Sequence, residues 1–237
     1  CGEYQSLLKS NDYNLVYKKA IEYYNKGDYQ RAMNLLDGVR SVFVGQAKAQ
    51  NIAYYRAFCS YNMKDYQIAS DLFKQFIQTY PESSFAEECL YMMGFCDYKA
   101  SPKPRLDQQV TEKAIREFQL YLSRYPYSMR KDKVNTYMDE MRDKLSYKAY
   151  LSAKNYYLRE HYKAAVISLQ NCLKDYPGSK YREEIMYMLF VSKYQMAVNS
   201  VEDKKVERYN NAREEYYYFA DEYPNSKFAA DMKKKYD

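Results

Sequence analysis

An all-α fold of five helical hairpins in a row is what the sequence predicts, and three observations predict it. Gly and Pro number six each in 237 residues, too few for a turn-rich β-protein. The motif Tyr-Pro-x-Ser recurs at Tyr80-Pro81, Tyr125-Pro126, Tyr176-Pro177 and Tyr223-Pro224, with Ser83, Ser128, Ser179 and Ser226 two residues beyond each Pro. Eleven residues before each of these tyrosines stands an alanine, Ala69, Ala114, Ala165 or Ala212, and a fifth copy without the Pro sets Ala32 eleven residues before Phe43.

Pro cannot continue a helix, and a Ser hydroxyl accepts from the free N–H groups that open one. Each Tyr-Pro-x-Ser therefore closes one helix and starts the next. Four residues after each alanine comes a large side chain: Leu36, Phe73, Phe118, Leu169 or Tyr216. A small residue followed one turn later by a large one lets two helices approach closely. Twelve residues before Ala32, Ala69 and Ala165 stand Ala20, Ala57 and Ala153, the matching small positions of each first helix. Asp28-Tyr29, Asp65-Tyr66 and His161-Tyr162 read as tight turns between paired helices. Polar insertions around Ser101-Pro102-Lys103-Pro104 and Glu202-Asp203-Lys204-Lys205 read as exposed loops in the third and fifth copies. The spacing Ala–x11–Ala–x3–Leu/Phe–x7–Pro resembles the tetratricopeptide consensus. That resemblance implies a right-handed superhelical solenoid of five tetratricopeptide-like hairpins.

Tyrosine carries the strongest regularity: the chain has 32 Tyr and no Trp. Tyr17, Tyr54 and Tyr91 are 37 residues apart, as are Tyr24, Tyr61 and Tyr98, with Ile21, Phe58 and Phe95 between them. The later copies read Tyr150, Lys154, Tyr157 and Tyr187, Val191, Tyr194. A spacing of i, i+4, i+7 lines one helix face. One reading makes this an aromatic ladder gripping an extended peptide, since Tyr offers wide contact area with two side-chain torsions to freeze. The other makes it packing between helices, with Val16, Ala53, Leu90, Ala149 and Met186 flanking the same face. Asn25 and Asn62 follow the second Tyr. Capping of the helix end is their commoner use, and hydrogen bonding to a peptide backbone is the alternative. The candidate binding residues are thus Tyr17, Ile21, Tyr24, Asn25, Tyr54, Phe58, Tyr61, Asn62, Tyr91, Phe95 and Tyr98.

The formal net charge of +6 comes from cations interleaved with Asp and Glu, not from a basic stripe, so nucleic acid is not an expected partner. No run of 18 apolar residues occurs. The chain opens Cys1-Gly2-Glu3-Tyr4, and a mature chain starting at Cys is what bacterial lipoprotein processing leaves, with a diacylglyceryl group on the Cys1 thiol. Lipidation there, anchoring the protein on a membrane without crossing it, is the expectation. Cys59, Cys89, Cys96 and Cys172 sit within helical patterns and read as buried thiols, and no zinc spacing is present. His161, the sole histidine, holds the turn place of Asp28 and Asp65. Glu87-Glu88 and Glu183-Glu184 complement the start of a helix dipole. No phosphate loop, metal-ligand cluster or nucleophile motif is found, so no enzyme activity, metal or cofactor is expected.

Cys1, the five repeats and the order of the insertions together resemble the family of the outer-membrane protein assembly factor BamD. The most telling stretch runs Met141-Arg-Asp-Lys-Leu-Ser-Tyr-Lys-Ala-Tyr-Leu-Ser-Ala-Lys-Asn-Tyr-Tyr157, then Arg159, Tyr162, Ala164-Ala165 and Asp175-Tyr-Pro-Gly-Ser179. It is similar to that family's long helix and fourth repeat. Arg105-x-Asp107 is similar to its third-repeat insertion. Absent tryptophan, abundant tyrosine and Lys233-Lys234-Lys235 depart from the pattern. The resemblance implies a lipoprotein of the bacterial outer membrane that faces the periplasm and works in the β-barrel assembly machinery. Residues 1–12 would be the lipidated tether. Residues 13–126, repeats one to three, would take unfolded outer-membrane barrel proteins, and 127–237, repeats four and five with a C-terminal helix, would dock on the periplasmic domains of BamA and other subunits. Another tetratricopeptide lipoprotein adaptor, of a secretion or pilus system, or a glycan-binding envelope lipoprotein, would share most of these features.

Overall fold

Segments with this small-to-large spacing and these Pro stops pair as helices from one hairpin to the next. The computed structural model describes residues 2–236, and every regular element among them is an α-helix. Helix α1 (Gly2–Leu8) precedes five hairpins: α2 (Tyr13–Asn25) with α3 (Tyr29–Val39), α4 (Lys48–Asn62) with α5 (Tyr66–Thr79), α6 (Ala86–Ala100) with α7 (Gln109–Arg124), α8 (Lys131–Leu158) with α9 (Tyr162–Asp175), and α10 (Arg182–Val198) with α11 (Glu202–Glu222). Helix α12 (Ala229–Tyr236) follows. The first helix of each hairpin is termed A and the second B.

The alanine pattern marks the A–B seam. Ala20, Ala32, Ala57, Ala69, Ala114, Ala153 and Ala165 are wholly buried, as are their large neighbours Leu36, Phe73, Phe118 and Leu169. In the third hairpin Gly94 takes the place of Ala20 and Ala57, and the Phe118 ring lies where its Cβ would be. In the fifth, Phe190 fills that place, so Tyr216 is pushed out to a half-buried position while Phe219 enters the core.

The A–B turns are closed by backbone. The amides of Asp28, Asp65 and His161 donate back to the carbonyls of Tyr23, Ser60 and Tyr156 at 2.9, 3.0 and 3.0 Å. This closure needs a left-handed residue just before. Gly27 supplies it at φ 80°, but Lys64 and Glu160 are forced to φ 67° and 61°. A Cβ in that region costs about 1–2 kcal/mol, part of which glycine loses again in unfolded-chain entropy. Lys64→Gly is therefore expected to raise stability by about 0.5–1 kcal/mol, read as a higher urea midpoint at unchanged slope. His161 holds the turn place of Asp28 and Asp65, as expected, and all three are also helix N-caps: Asp28 accepts from the Arg31 amide at 3.3 Å, and Asp65 and His161 hold the same backbone pose without a side-chain bond.

The four Tyr-Pro-x-Ser loops repeat one geometry, which refines the expected role of the serines. Each Ser sits ahead of the helix, not at its N-cap. Its amide donates to the Tyr carbonyl of the motif, and its Oγ accepts from the amide two residues on, at 3.2 Å for Ser83, 3.2 Å for Ser128, 3.3 Å for Ser179 and 3.0 Å for Ser226. The first insertion is a loop, as expected, folded over the buried Gln108, whose Nε2 donates to the Lys103 and Leu106 carbonyls. The second is not. Glu202 to Lys205 form the first turn of α11, because the stretch has no helix breaker and Glu202 and Asp203 suit the positive end of the helix dipole.

Two compact units, Cys1–Met141 and Arg142–Asp237, divide inside α8. In the first, Val134, Met138 and Met141 of α8 join the core of α5, α6 and α7. In the second, Tyr150 and Ala153 pack with Leu169 and Cys172 of α9 and Ile185 and Leu189 of α10. Cys1, the expected lipidation site, lies outside the described residues. The rest of the expected tether is partly docked. Leu7 is buried against the first hairpin, Tyr4 meets Tyr23 edge-on at 6.0 Å, and Asn34 donates to the Tyr4 hydroxyl at 3.0 Å. Cys59, Cys89, Cys96 and Cys172 are buried free thiols, and burial pushes Cys59 and Cys89 up to about 12.

Candidate functional site

The A-helix tyrosines are brought together in the first unit, and their two halves do different work. The first Tyr of each set is a bolt between hairpins. Its ring is covered by the residue four positions after the Pro place of the next loop. That residue is Lys48 over Tyr17 at 5.7 Å, Phe85 on Tyr54 at 4.6 Å, and Arg130 over Tyr91 at 4.8 Å. In the second unit it is Tyr181 on Tyr150 at 4.3 Å and Phe228 on Tyr187 at 4.2 Å. The hydroxyl then donates across the joint, from Tyr54 to Glu88 at 2.8 Å, from Tyr150 to Glu184 at 2.8 Å and from Tyr187 to Asp231 at 2.8 Å. Burial, and then the Glu88 acceptor, hold the Tyr54 phenol far above its ordinary range, so it stays a donor. Glu88 and Glu184 thus do more than complement a dipole: they anchor the tyrosine of the preceding hairpin.

Most of the ladder keeps part of its surface. Tyr24, Tyr54, Phe58, Tyr61, Phe95 and Tyr98 are half-buried, and Tyr91 is buried at 8 % exposure. Their rings form one chain of contacts, Tyr24 to Tyr55 at 4.9 Å, Tyr55 to Tyr54 at 5.5 Å, Tyr54 to Phe58 at 4.5 Å, Phe58 to Tyr61 at 6.4 Å, Tyr61 to Phe95 at 6.2 Å and Phe95 to Tyr98 at 5.9 Å. Tyr17 stands apart against Phe43, and Ile21 packs on the first hairpin core. The chain of rings ends on Tyr137 of α8, 4.5 Å from Tyr98, whose hydroxyl donates to Glu140. Burial first, and the Glu140 acceptor second, push Tyr98 up to about 12, while burial pushes Tyr24 to about 12.

Asn25 and Asn62 do not cap their helices. Backbone amides of Lys26 and Met63 do that, donating to Glu22 and Cys59 at 3.1 and 3.0 Å. A left-handed residue follows each helix, so the turn itself satisfies the last carbonyls and leaves the asparagine side chains free for other use. Asn62 Nδ2 reaches back to the Tyr24 hydroxyl at 3.5 Å, and Asn25 is exposed.

Tyr55 and Tyr137 were not foreseen as part of the row. Tyr55 neighbours Tyr54 and has no counterpart 37 residues on, where Met92 stands. Tyr137 escapes the repeat count. Ten residues beyond the Pro position lie Tyr54, Tyr91 and Tyr187, but also Thr136, and the ladder resumes only at Tyr150, fourteen residues later. Fourteen residues are about four helical turns, so α8 serves one register with its first half and another with its second.

Aromatic faces, phenol donors and an exposed amide suit contact with a polypeptide or another flat partner. Among the described residues, no group of three or more His, Cys, Asp or Glu is placed to hold a metal, and no helix is long and apolar enough to cross a membrane.

No curated protein matches the chain. Among solved structures, the complex of the TPR2AB domain of yeast Sti1 with pHSP90 is similar over 94% of this chain and 96% of that one, at 14% identity and a TM-score of 0.43, too loose a likeness to bear on function. The model of the YfiO family, described as outer membrane lipoprotein, matches residues 9–184 and again 149–237. Those two overlapping matches span nearly all of the chain, and the stretch they share lies in the internal repeats. The chain belongs to the YfiO family of outer membrane lipoproteins.

Proposed function

We propose that this lipoprotein is a non-catalytic scaffold of the outer-membrane β-barrel assembly machinery, anchored by lipid on Cys1 and facing the periplasm. Its first three hairpins take extended segments of unfolded barrel precursors along the A-helix face. Its fourth and fifth dock on the periplasmic domains of BamA. Family membership and the resemblance in the fourth repeat support the setting. The observation that carries precursor binding is the unbroken row of half-exposed rings from Tyr24 to Tyr98 within one compact unit. Tyr24, Phe58, Tyr61, Phe95 and Tyr98, with Asn25 and Asn62 at the helix ends, are the contact residues, while Tyr17, Ile21, Tyr54 and Tyr91 support them from below. Rigid aromatic surface of this kind binds many sequences at low entropic cost, which a receiver of diverse unfolded chains requires.

The test is a titration of the full chain with a synthetic C-terminal strand of a barrel protein. Tyr61→Ala combined with Tyr98→Ala is expected to weaken binding by at least about ten-fold, the scale of an aromatic hot spot, with helix content retained. Undiminished affinity in a folded double variant refutes the reading.

A further inference from the structure

The four Tyr-Pro-x-Ser loops share one backbone, and that backbone turns two side chains outward. These are the residues one and three positions after the Pro. They are Glu82 and Ser84 in the first such loop, Gly178 and Lys180 in the third, and Asn225 and Lys227 in the fourth, all exposed and none of them apolar and large. The second loop, between α7 and α8, carries Tyr127 and Met129 there, at 97% and 102% exposure. The same hydrogen bonds hold this loop as hold the others, so its backbone is as well fixed as theirs. Neither side chain is used by the fold. Two large apolar groups standing fully clear of the protein surface form a projecting tip, not a groove.

Cations frame the tip. Arg124, Arg130, Lys131 and Lys133 lie within a few residues of it along the chain. The acids beside it are Asp132, Glu87, which accepts from the Ser128 hydroxyl at 2.7 Å, and Glu88, which pairs with Arg130, so Lys131 and Lys133 carry the excess of positive charge. Arg124 and Arg130 are held in place, the first by the Pro81 carbonyl at 2.9 Å and the second by Glu88 at 3.5 Å. Tyr and Met with flanking Arg and Lys match the boundary of a phospholipid bilayer. A phenol sits there with its ring toward the acyl chains and its hydroxyl among the headgroups, and cations meet the phosphates.

We propose that the Tyr127–Met129 tip is a second membrane contact, seating the first unit on a surface that contains anionic phospholipid. Membership in an outer membrane lipoprotein family puts such a surface within reach, and the proposal does not depend on precursor binding. One loop is a weak membrane ligand by itself. It gains force when the chain is already tethered, because stable attachment takes two signals and the second acts at high effective concentration. Its consequence is orientation: a tether alone lets the scaffold swivel, whereas a tether and a tip fix which face is turned to the lipid.

The chain has no tryptophan, so Tyr127→Trp installs a single fluorophore at the tip. With the full chain on vesicles of phosphatidylethanolamine and phosphatidylglycerol, its emission is expected to shift to the blue and to be quenched by brominated acyl chains, with weaker effects on phosphatidylcholine alone. Asn225→Trp, at the matching place of a sister loop, is expected to stay unshifted, which separates the tip from anchoring in general. Lys131→Gln should reduce binding of the unlipidated chain about five-fold, as one cation at an anionic surface does. Emission at position 127 that stays water-like and unquenched on vesicles overturns the proposal. So does a photo-crosslinker at position 127 that captures a protein in envelopes while the fluorophore stays unquenched, since the tip then belongs to a protein interface.

Discussion

Replacing Lys113 with Met is expected to destabilise the first unit by on the order of 3 kcal/mol, the low end for breaking a buried ion pair, because the ammonium is itself a third exposed. Lys113 stands at the meeting of α5, α6 and α7. Its Nζ is 2.9 Å from Asp97, 3.7 Å from Glu117 and 3.9 Å from Asp71, and donates to Ser70 at 3.3 Å. Asp97 is 2% exposed and also accepts from the Ser70 hydroxyl at 3.0 Å, so without the cation its charge is left in apolar surroundings. The melting temperature is expected to fall by about 10 °C, at the few degrees per kcal/mol typical of chains this long. A fall of only a degree or two would show that water reaches Asp97 at little cost once the cation is gone.

The same cluster sets a pH dependence. Burial, and then the neighbouring Asp97, push Glu117 up to about 8, and its Oε2 has no partner. The other titratable groups around it are Lys113, whose pKa is raised, and the buried Cys96 thiol, pushed up chiefly by burial. A folded-state value above the unfolded one means that the protonated carboxyl favours the fold. That contribution is complete below the unfolded pKa near 4.5 and is lost as pH rises through about 8. Glu117→Gln, which keeps a neutral side chain of the same shape, should therefore flatten the decline in stability between pH 5 and pH 9 and exceed the wild type at the alkaline end. Urea melts across that range give the slope directly, and parallel curves for the two proteins would place the proton elsewhere.

A second large effect is expected at Gly94. A Cβ there would stand 2.9 Å from Phe118 Cδ1 and 3.0 Å from Cε1, and the ring cannot retreat, being wholly buried with Tyr137 stacked at 5.9 Å. Gly94→Leu adds four carbons to this contact and is expected to cost about 3 kcal/mol or more, at or beyond the usual range for overpacking. Gly94→Ala is the finer probe, because a helix-propensity gain of about 1 kcal/mol works against the clash. Combining it with Phe118→Leu recreates the Ala20–Leu36 and Ala153–Leu169 pairings of the first and fourth hairpins. The double variant is expected to be more stable than the sum of the single losses allows, since the two side chains share one space. Strict additivity in chemical denaturation would mean that the ring moves aside freely.

The residues that made the fold legible act locally. Pro81, Pro126, Pro177 and Pro224 stop helices wherever they fall, and alanines at the A–B seam recur because two backbones approach there in every hairpin. The candidate site was legible only in part. Periodicity put Tyr54, Tyr61, Tyr91 and Tyr98 on one helix face, but the same period describes a ring bolted under Phe85 or Arg130 and a ring left half open. Asn62 looked like a cap because it ends a helix, although the left-handed Lys64 had already closed that end. Glu202 to Lys205 looked like a loop because they interrupt the repeat, although their propensities allow one more helical turn.

The hairpins, their seams and their turns were set by the sequence, since each follows from the preferences of short segments, and the order of the repeats along nearly the whole chain carried the membership of a lipoprotein family. Tertiary structure alone decided which tyrosine bolts neighbouring hairpins together, that Tyr137 extends the row, that Lys113 serves two buried carboxyls and that Tyr127 and Met129 stand clear. Those outcomes depend on which side chains meet across different helices, and on the water removed when they do, and neither is encoded in spacing along the chain.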